Sequence, residues 1–147
     1  MQTRQQFELS QAVQQILFSN NIFVFSSEKG KKGVTDTNAQ RLKNQVTRPE
    51  DIKIHKNYNI WTGKGEASDV DLDSPEVRDL SDYFLNPTGI EFGRSKHGGR
   101  SHRLYRVLDL DKKKHTRSAF TFRDSATDNT IIELRAHNHY TMCAGTY

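Results

Sequence analysis

Apolar positions recur along this chain with two different periods. Phe7, Leu9, Ala12, Val13, Ile16 and Leu17 fall close to a helical stripe, which Asn20 and Asn21 break. Ile22 to Ser26, reading IFVFS, is short, apolar and β-rich, which predicts a buried strand. The segment SEKGKKGVTDTNAQ is polar and contains glycine, as a loop does, and RPEDIKIHK suits a short helix or turn. NYNIWTG, Asn57 to Gly63, predicts a second strand ending in a glycine turn, and SDVDLD a third. SPEVRDLSDYF then carries helix signals. Ser74 is placed to cap it, Pro75 suits the first helical position, and Glu76 complements the positive end of the helix dipole. Val77, Leu80 and Phe84 recur at helical spacing and are expected to face the core, and NPTG stops the helix. IEFGR and HRLYRVL predict strands around the loop SKHGG, and SAFTFRD and NTIIELRAH two more around the turn SATDN. With about two or three helices and six or seven strands, many joined by short turns, the expectation is an α+β chain with antiparallel pairing.

The length of 147 residues argues for one domain, with room for a modest core. A hydrophobic share of 33% and a mean hydropathy of -0.83 imply a polar surface, yet the aromatic and aliphatic content is too high for a disordered chain. Net charge is only +4, but it is unevenly spread. Arg94, Lys96, Arg100, Arg103, Arg106, Lys112, Lys113, Lys114 and Arg117 face only Asp109 and Asp111 over that stretch, a bias that suits a polyanion. A single cysteine, Cys143, excludes an internal disulfide and a cysteine zinc cluster and fits a reducing compartment. No apolar run approaches the ~18 residues of a membrane span, and MQTRQQFELS lacks the hydrophobic segment of a signal peptide, so a cytoplasmic protein is expected.

Three clusters carry candidate chemistry. Asp69, Asp71 and Asp73 alternate, so on a strand they share one face while Val70 and Leu72 take the other. Two ionised carboxylates ~5 Å apart repel by roughly 3 kcal/mol at an effective dielectric near 20. The row is either a solvated strand edge, with Asp73 assisting the helix cap, or a site for a divalent cation such as Mg²⁺ or Mn²⁺. In GRSKHGGRSHRLYR, glycines bring backbone amides near a phosphate, arginines offer forked donors and a histidine can donate to a phosphate. A basic surface hairpin has the same composition. In IIELRAH, Glu133 and Arg135 share a strand face as an ion pair, and Glu133 joins the aspartates only if its strand lies beside theirs. His137 and His139 alternate, and His55, His97 and His115 are scattered, which is poor zinc spacing. KKKH reads as a solvated turn, and Trp61 as core.

The order DVDLDSPEV, FGRSKHGGRSHRLYRV and IIELRAH resembles the catalytic domain of the archaeo-eukaryotic primase superfamily. Specifically, it is similar to the bifunctional primase-polymerase domains of phages, plasmids and other mobile elements. The resemblance spans most of the chain and is most specific from Asn59 to Arg135. It implies a single domain over residues 1–147, α+β, with a mainly antiparallel RRM-like sheet flanked by helices. It implies that Asp71 and Asp73 hold catalytic Mg²⁺ or Mn²⁺ together with Glu133, and it leaves the role of Asp69 open. It implies that Ser101 and His102 contact the phosphates of an incoming nucleotide, with Ser95 and His97 a second match to the same motif. Arg100 and Arg103 are expected phosphate or template contacts, by chemistry more than by motif. The implied activity is metal-dependent nucleotidyl transfer, as a DNA primase and polymerase, from dNTP or NTP on a single-stranded DNA template or primer. A replicative helicase would act in trans. Related domains continue past the I-E-L-R strand, whereas this sequence ends at MCAGTY, so the domain is expected to be incomplete at its C-terminal end.

Two other classes fit parts of the pattern. A metal-dependent nuclease would use the carboxylates, although arginine in ELR is a poor substitute for a lysine because it keeps its proton. A catalytically degenerate RRM-like nucleic-acid-binding module would expose aromatics such as Tyr105, Phe120 and Phe122 for base stacking.

Overall fold

Strand and helix signals are realised in an α+β architecture with two antiparallel sheets. The computed structural model describes residues 15–19, 21–28, 37–48, 51–52, 56–108 and 119–144. Lys112 to His115, Arg117, His55 and most of the first-helix stripe lie outside these residues. The chain divides into two units. One gathers the described residues up to Trp61 with those from Tyr140 onward, and the other runs from Thr62 to His139.

In the first unit, residues 15–19 are helical (α1) and Leu17 is buried. Its sheet has the order β2 (Gln45–Val46), β1 (Val24–Glu28), β3 (Lys56–Thr62), β9 (His139–Ala144). β1 pairs antiparallel with both β2 and β3. Val24, Phe25, Val46, Tyr58, Ile60 and Trp61 form its core. Besides the short strand β2, two elements here were not anticipated. Helix α2 (Asn38–Lys43) starts inside the segment read as loop, because Thr37 and Gln40 form a reciprocal capping box. Gln40 N–H donates to Thr37 Oγ1 at 3.3 Å and Thr37 N–H to Gln40 Oε1 at 3.0 Å. Strand β9 is the other. Its Tyr140 joins Phe25 and Trp61 around the buried guanidinium of Arg41, which lies 5.3–5.8 Å from the three ring centroids.

The second unit carries a five-stranded sheet in the order β5 (Glu91–Phe92), β6 (His102–Arg106), β4 (Ala67–Leu72), β8 (Thr130–Arg135), β7 (Ala119–Arg123). β4 is therefore the central strand, antiparallel to both neighbours, and all six of its residues are buried. Gly63 opens the turn into it with φ +73°, where a Cβ would come within 2.7 Å of the Ala136 carbonyl oxygen, so no larger residue fits. Helix α3 (Pro75–Phe84) follows β4 as its signals require. Ser74 Oγ accepts from Val77 N–H at 3.2 Å, and the Leu85 N–H closes on the Ser81 carbonyl at 2.9 Å.

The helix turns a different side to the sheet than its apolar spacing suggests. Leu80 is 55% and Phe84 51% exposed, Val77 is half-buried, and the residue facing inward is Ser81. The reason is polar. Arg103 of β6 is 1% exposed, and its Nη2 donates to Ser81 Oγ at 2.7 Å and to the Asp82 carboxylate. Arg78 Nη1 donates to the Leu72 and Asp73 carbonyls at 2.9 and 3.0 Å. Hydrogen bonds to a buried guanidinium, rather than an apolar stripe, set the helix's rotation.

Urea denaturation separates the two accounts of α3. Leu80→Ser is expected to change stability by no more than about 0.5 kcal/mol, whereas Arg103→Ala costs on the order of 2–3 kcal/mol. The reverse ranking would show that Leu80 is core.

Candidate functional site

Residues directly opposed in an antiparallel ladder share a face. Asp71 of β4 opposes His102 on β6 and Glu133 on β8, while Asp69 opposes Leu104 and Arg135. One face of the sheet thus carries Asp69, Asp71, His102, Glu133 and Arg135, drawn from its three middle strands. The other carries Val70, Arg103 and Leu134. The condition set for Glu133, a strand beside that of the aspartates, is met.

The charged groups touch. Arg135 Nη2 lies 2.6 Å from Asp71 Oδ2 and 2.7 Å from Glu133 Oε2. Its Nε donates to Glu133 Oε2 at 2.8 Å, and Nη1 lies 3.6 Å from Asp69 Oδ2. One guanidinium spans three carboxylates. On the other side, His102 Nδ1 is 3.1 Å from Asp69 Oδ2 and 3.5 Å from Asp71 Oδ1. A carboxylate oxygen accepts, so the imidazole Nδ1–H is the donor in this contact. The Phe92 ring stacks on the imidazole with centroids 4.9 Å apart and planes 12° from parallel, which fixes the ring's orientation. Gly93 follows with φ +155°, where a Cβ would crowd Ser101 N at 2.8 Å.

Burial and charge pull the titrations apart. Asp69 has no exposed surface and Asp71 is 7% exposed. Burial pushes the Asp71 carboxyl up to about 6, against the opposing pull of His102 and Arg135, with Asp73 and Asp69 adding to the rise. His102 is raised above its ordinary value: burial works against its charge, but the Asp69 hydrogen bond and the Asp69 and Asp71 charges outweigh it. Burial likewise opposes the Arg135 charge, and Asp71, Asp69 and Glu133 overcome it.

The expected residues are placed as follows. Asp71, His102 and Glu133 come together. Asp73 lies exposed just past the end of β4, its N–H donating to the Ile131 carbonyl at 3.0 Å, so the closely packed pair is Asp69 and Asp71. Ser101 is buried, and its carbonyl accepts the Leu72 N–H at 2.7 Å. Arg103 departs from the expected phosphate contact: alternation sends it to the opposite face, into the α3 network. Arg100 joins it there, its Nε donating to Glu91 at 2.7 Å and its Nη2 to Asp82 at 3.2 Å. The basic loop retains Arg94, Lys96 and His97, with Ser95–His97 forming a 3₁₀ turn. Partial burial and the charges of Arg78, Lys96 and Arg94 hold His97 below its usual value, while Asp73 pulls the other way. Asp73 and this cationic turn therefore feel each other's charge. Sequence reasoning missed the reach of Arg135, taken as a partner of Glu133 alone; the E-x-R alternation was its one signal.

Mg²⁺ or Mn²⁺ was expected here. Among the described residues, no three acidic, histidine or cysteine side chains already surround a common point as metal ligands. The donor chemistry nevertheless fits, because the carboxylates supply hard oxygens, and Asp69 Oδ1 is buried with no hydrogen-bond partner. The cation that the cluster holds is Arg135.

No protein-family model matches the chain, and no curated protein matches it significantly.

A pH effect follows. Between 3.8 and about 6 the fold binds a proton at Asp71 that the unfolded chain has released, so stability falls as pH rises through this window. His102 acts in the same direction, its contribution being full below 6.5 and lost as pH rises through its higher folded value. Chemical denaturation from pH 5 to 7 should show declining stability, and Asp71→Asn, which keeps an acceptor for Arg135, should flatten the decline. An unchanged slope in the variant would contradict the assignment.

Proposed function

We propose that this chain is a metal-dependent nucleotidyltransferase of the primase-polymerase kind, extending a DNA primer or joining first nucleotides on a single-stranded template. The observation that carries the reading is the register of the central strand: Asp71 stands between His102 and Glu133, so three motifs distant in sequence meet on one sheet face. Mg²⁺ or Mn²⁺ would be held by Asp71 and Glu133, with Asp73 at the solvent edge. Bound there, it supplies Lewis acidity toward a 3′-hydroxyl and neutralises leaving pyrophosphate. His102, aligned by Asp69 and Phe92, offers a charged donor to a triphosphate oxygen. Lys96 and Arg94 add positive charge at the turn, which attracts the same polyanion. dNTP or NTP is the substrate class, replication of a phage, plasmid or other mobile element the setting, the cytoplasm the compartment, and a helicase in trans the natural partner. No helix among the described residues is long and apolar enough to cross a membrane.

A second reading has its own support. Arg135 already pairs with the Asp71 and Glu133 carboxylates, as in a nucleic-acid-binding module that has lost its chemistry.

The test is extension of a primed template, and dinucleotide synthesis on an unprimed one, with each metal and with dNTPs or NTPs. Incorporation that falls at least a hundredfold in Asp71→Ala and Glu133→Ala is expected. Absence of product under every condition, with DNA binding retained, favours the second reading. Product undiminished in both variants contradicts the site.

A further inference from the structure

The guanidinium of Arg135 stands where a cation shared by Asp69, Asp71 and Glu133 would stand. It takes one oxygen each of Asp71 and Glu133 at 2.6–2.8 Å. The third carboxylate, Asp69, is fully buried, and its Oδ1 has no partner. Such an oxygen is an incomplete coordination, since a buried acceptor left unpaired is costly unless something fills it. Two facts follow from these positions. A divalent ion on Asp71 and Glu133 would share oxygens with a guanidinium, and the two cations would repel. Arg135 sits two residues from Glu133 on the same strand, so a change of side-chain rotamer removes it without moving the sheet.

We propose that Arg135 is an internal counter-ion that holds the cation position, so that a divalent metal binds only as Arg135 leaves the carboxylates. This rests on the reading of Asp71 and Glu133 as metal ligands. The chain then has two arrangements of one site, Arg-in without metal and Arg-out with it. Apparent metal affinity is reduced by the fraction of molecules in the Arg-in arrangement. The device also explains how Asp69 and Asp71 of the central strand and Glu133 of its neighbour remain packed together when no metal is present: the charge that the metal would supply is built into β8. Arg135 is accordingly a positioning residue and a competitor, not a ligand.

Mn²⁺ titration of the whole chain, followed by the electron paramagnetic resonance signal of free Mn²⁺, tests this without reference to activity. Arg135→Gln is expected to bind Mn²⁺ at least tenfold more tightly than the unaltered chain. Arg123→Gln, which removes an exposed arginine paired with Asp128, should leave the affinity unchanged. If Arg135→Gln does not fold without metal, the double variant Asp69→Asn with Arg135→Gln removes one charge of each sign and carries the same comparison. Equal affinity with and without Arg135, or no binding by either protein, overturns the proposal. A gain in Mn²⁺ affinity with no nucleotide incorporation by any variant leaves the counter-ion role standing and sinks the polymerase reading instead.

Discussion

One guanidinium, that of Arg135, lies across Asp69, Asp71 and Glu133, and the five-stranded sheet depends on it. Three carboxylates on neighbouring strands of a buried face repel, and each has lost much of its water. Arg135 and a protonated His102 reduce three negative charges to one. Burial is the main reason that the Asp71 carboxyl is nevertheless lifted to about 6, with the Asp73 and Asp69 charges adding to the rise. A strand buried on both faces ordinarily carries β-branched and aliphatic residues on both. β4 instead alternates Asp69, Val70, Asp71 and Leu72, and it tolerates this because its neighbours supply the matching charges in register.

The opposite face repeats the theme with the signs reversed. Arg103 is the buried charge there, and α3 and the β5 region bring Ser81, Asp82 and Glu91 to meet it. Burying one partner of a charged pair while leaving the other at the surface is tolerable, because water solvates the exposed member. The consequence is a helix held by its polar side, with Leu80, Tyr83 and Phe84 left exposed. Charge on both faces of the same sheet makes strand register critical, since a slip of one residue would exchange the acidic and basic sets.

Much of this was legible in the sequence where the signal is local. Strands β3, β4, β6, β7 and β8 follow from their apolar alternation and bounding turns, and α3 from Ser74, Pro75 and Glu76. Helix α2 was missed although T-N-A-Q is a capping box, because the polar segment around it reads as loop. The inward face of α3 was misread because its partner, Arg103, lies some twenty residues downstream and cannot be inferred from helical spacing. The same holds for the site. Alternation put Asp69, Asp71 and Asp73 on one face, and resemblance added His102 and Glu133. Which carboxylates pack against which cation depends on the register of β4 against β6 and β8, a non-local property. Hence Arg135 was assigned only its neighbour Glu133, and Asp73 was paired with Asp71 where Asp69 is the buried companion. Arg100 and Arg103 were chosen for their chemistry, and parity along β6 sends Arg103 elsewhere.

The central claim is that this carboxylate cluster is a cation site whose present occupant is a side chain. Crystals grown without metal and then soaked in Mn²⁺ test it most directly, through the anomalous scattering of manganese. The account predicts an anomalous peak within bonding distance of the Asp71 and Glu133 carboxylates, with Arg135 rotated away from both. Manganese found only elsewhere on the protein, with Arg135 still across Asp71 and Glu133, would contradict it.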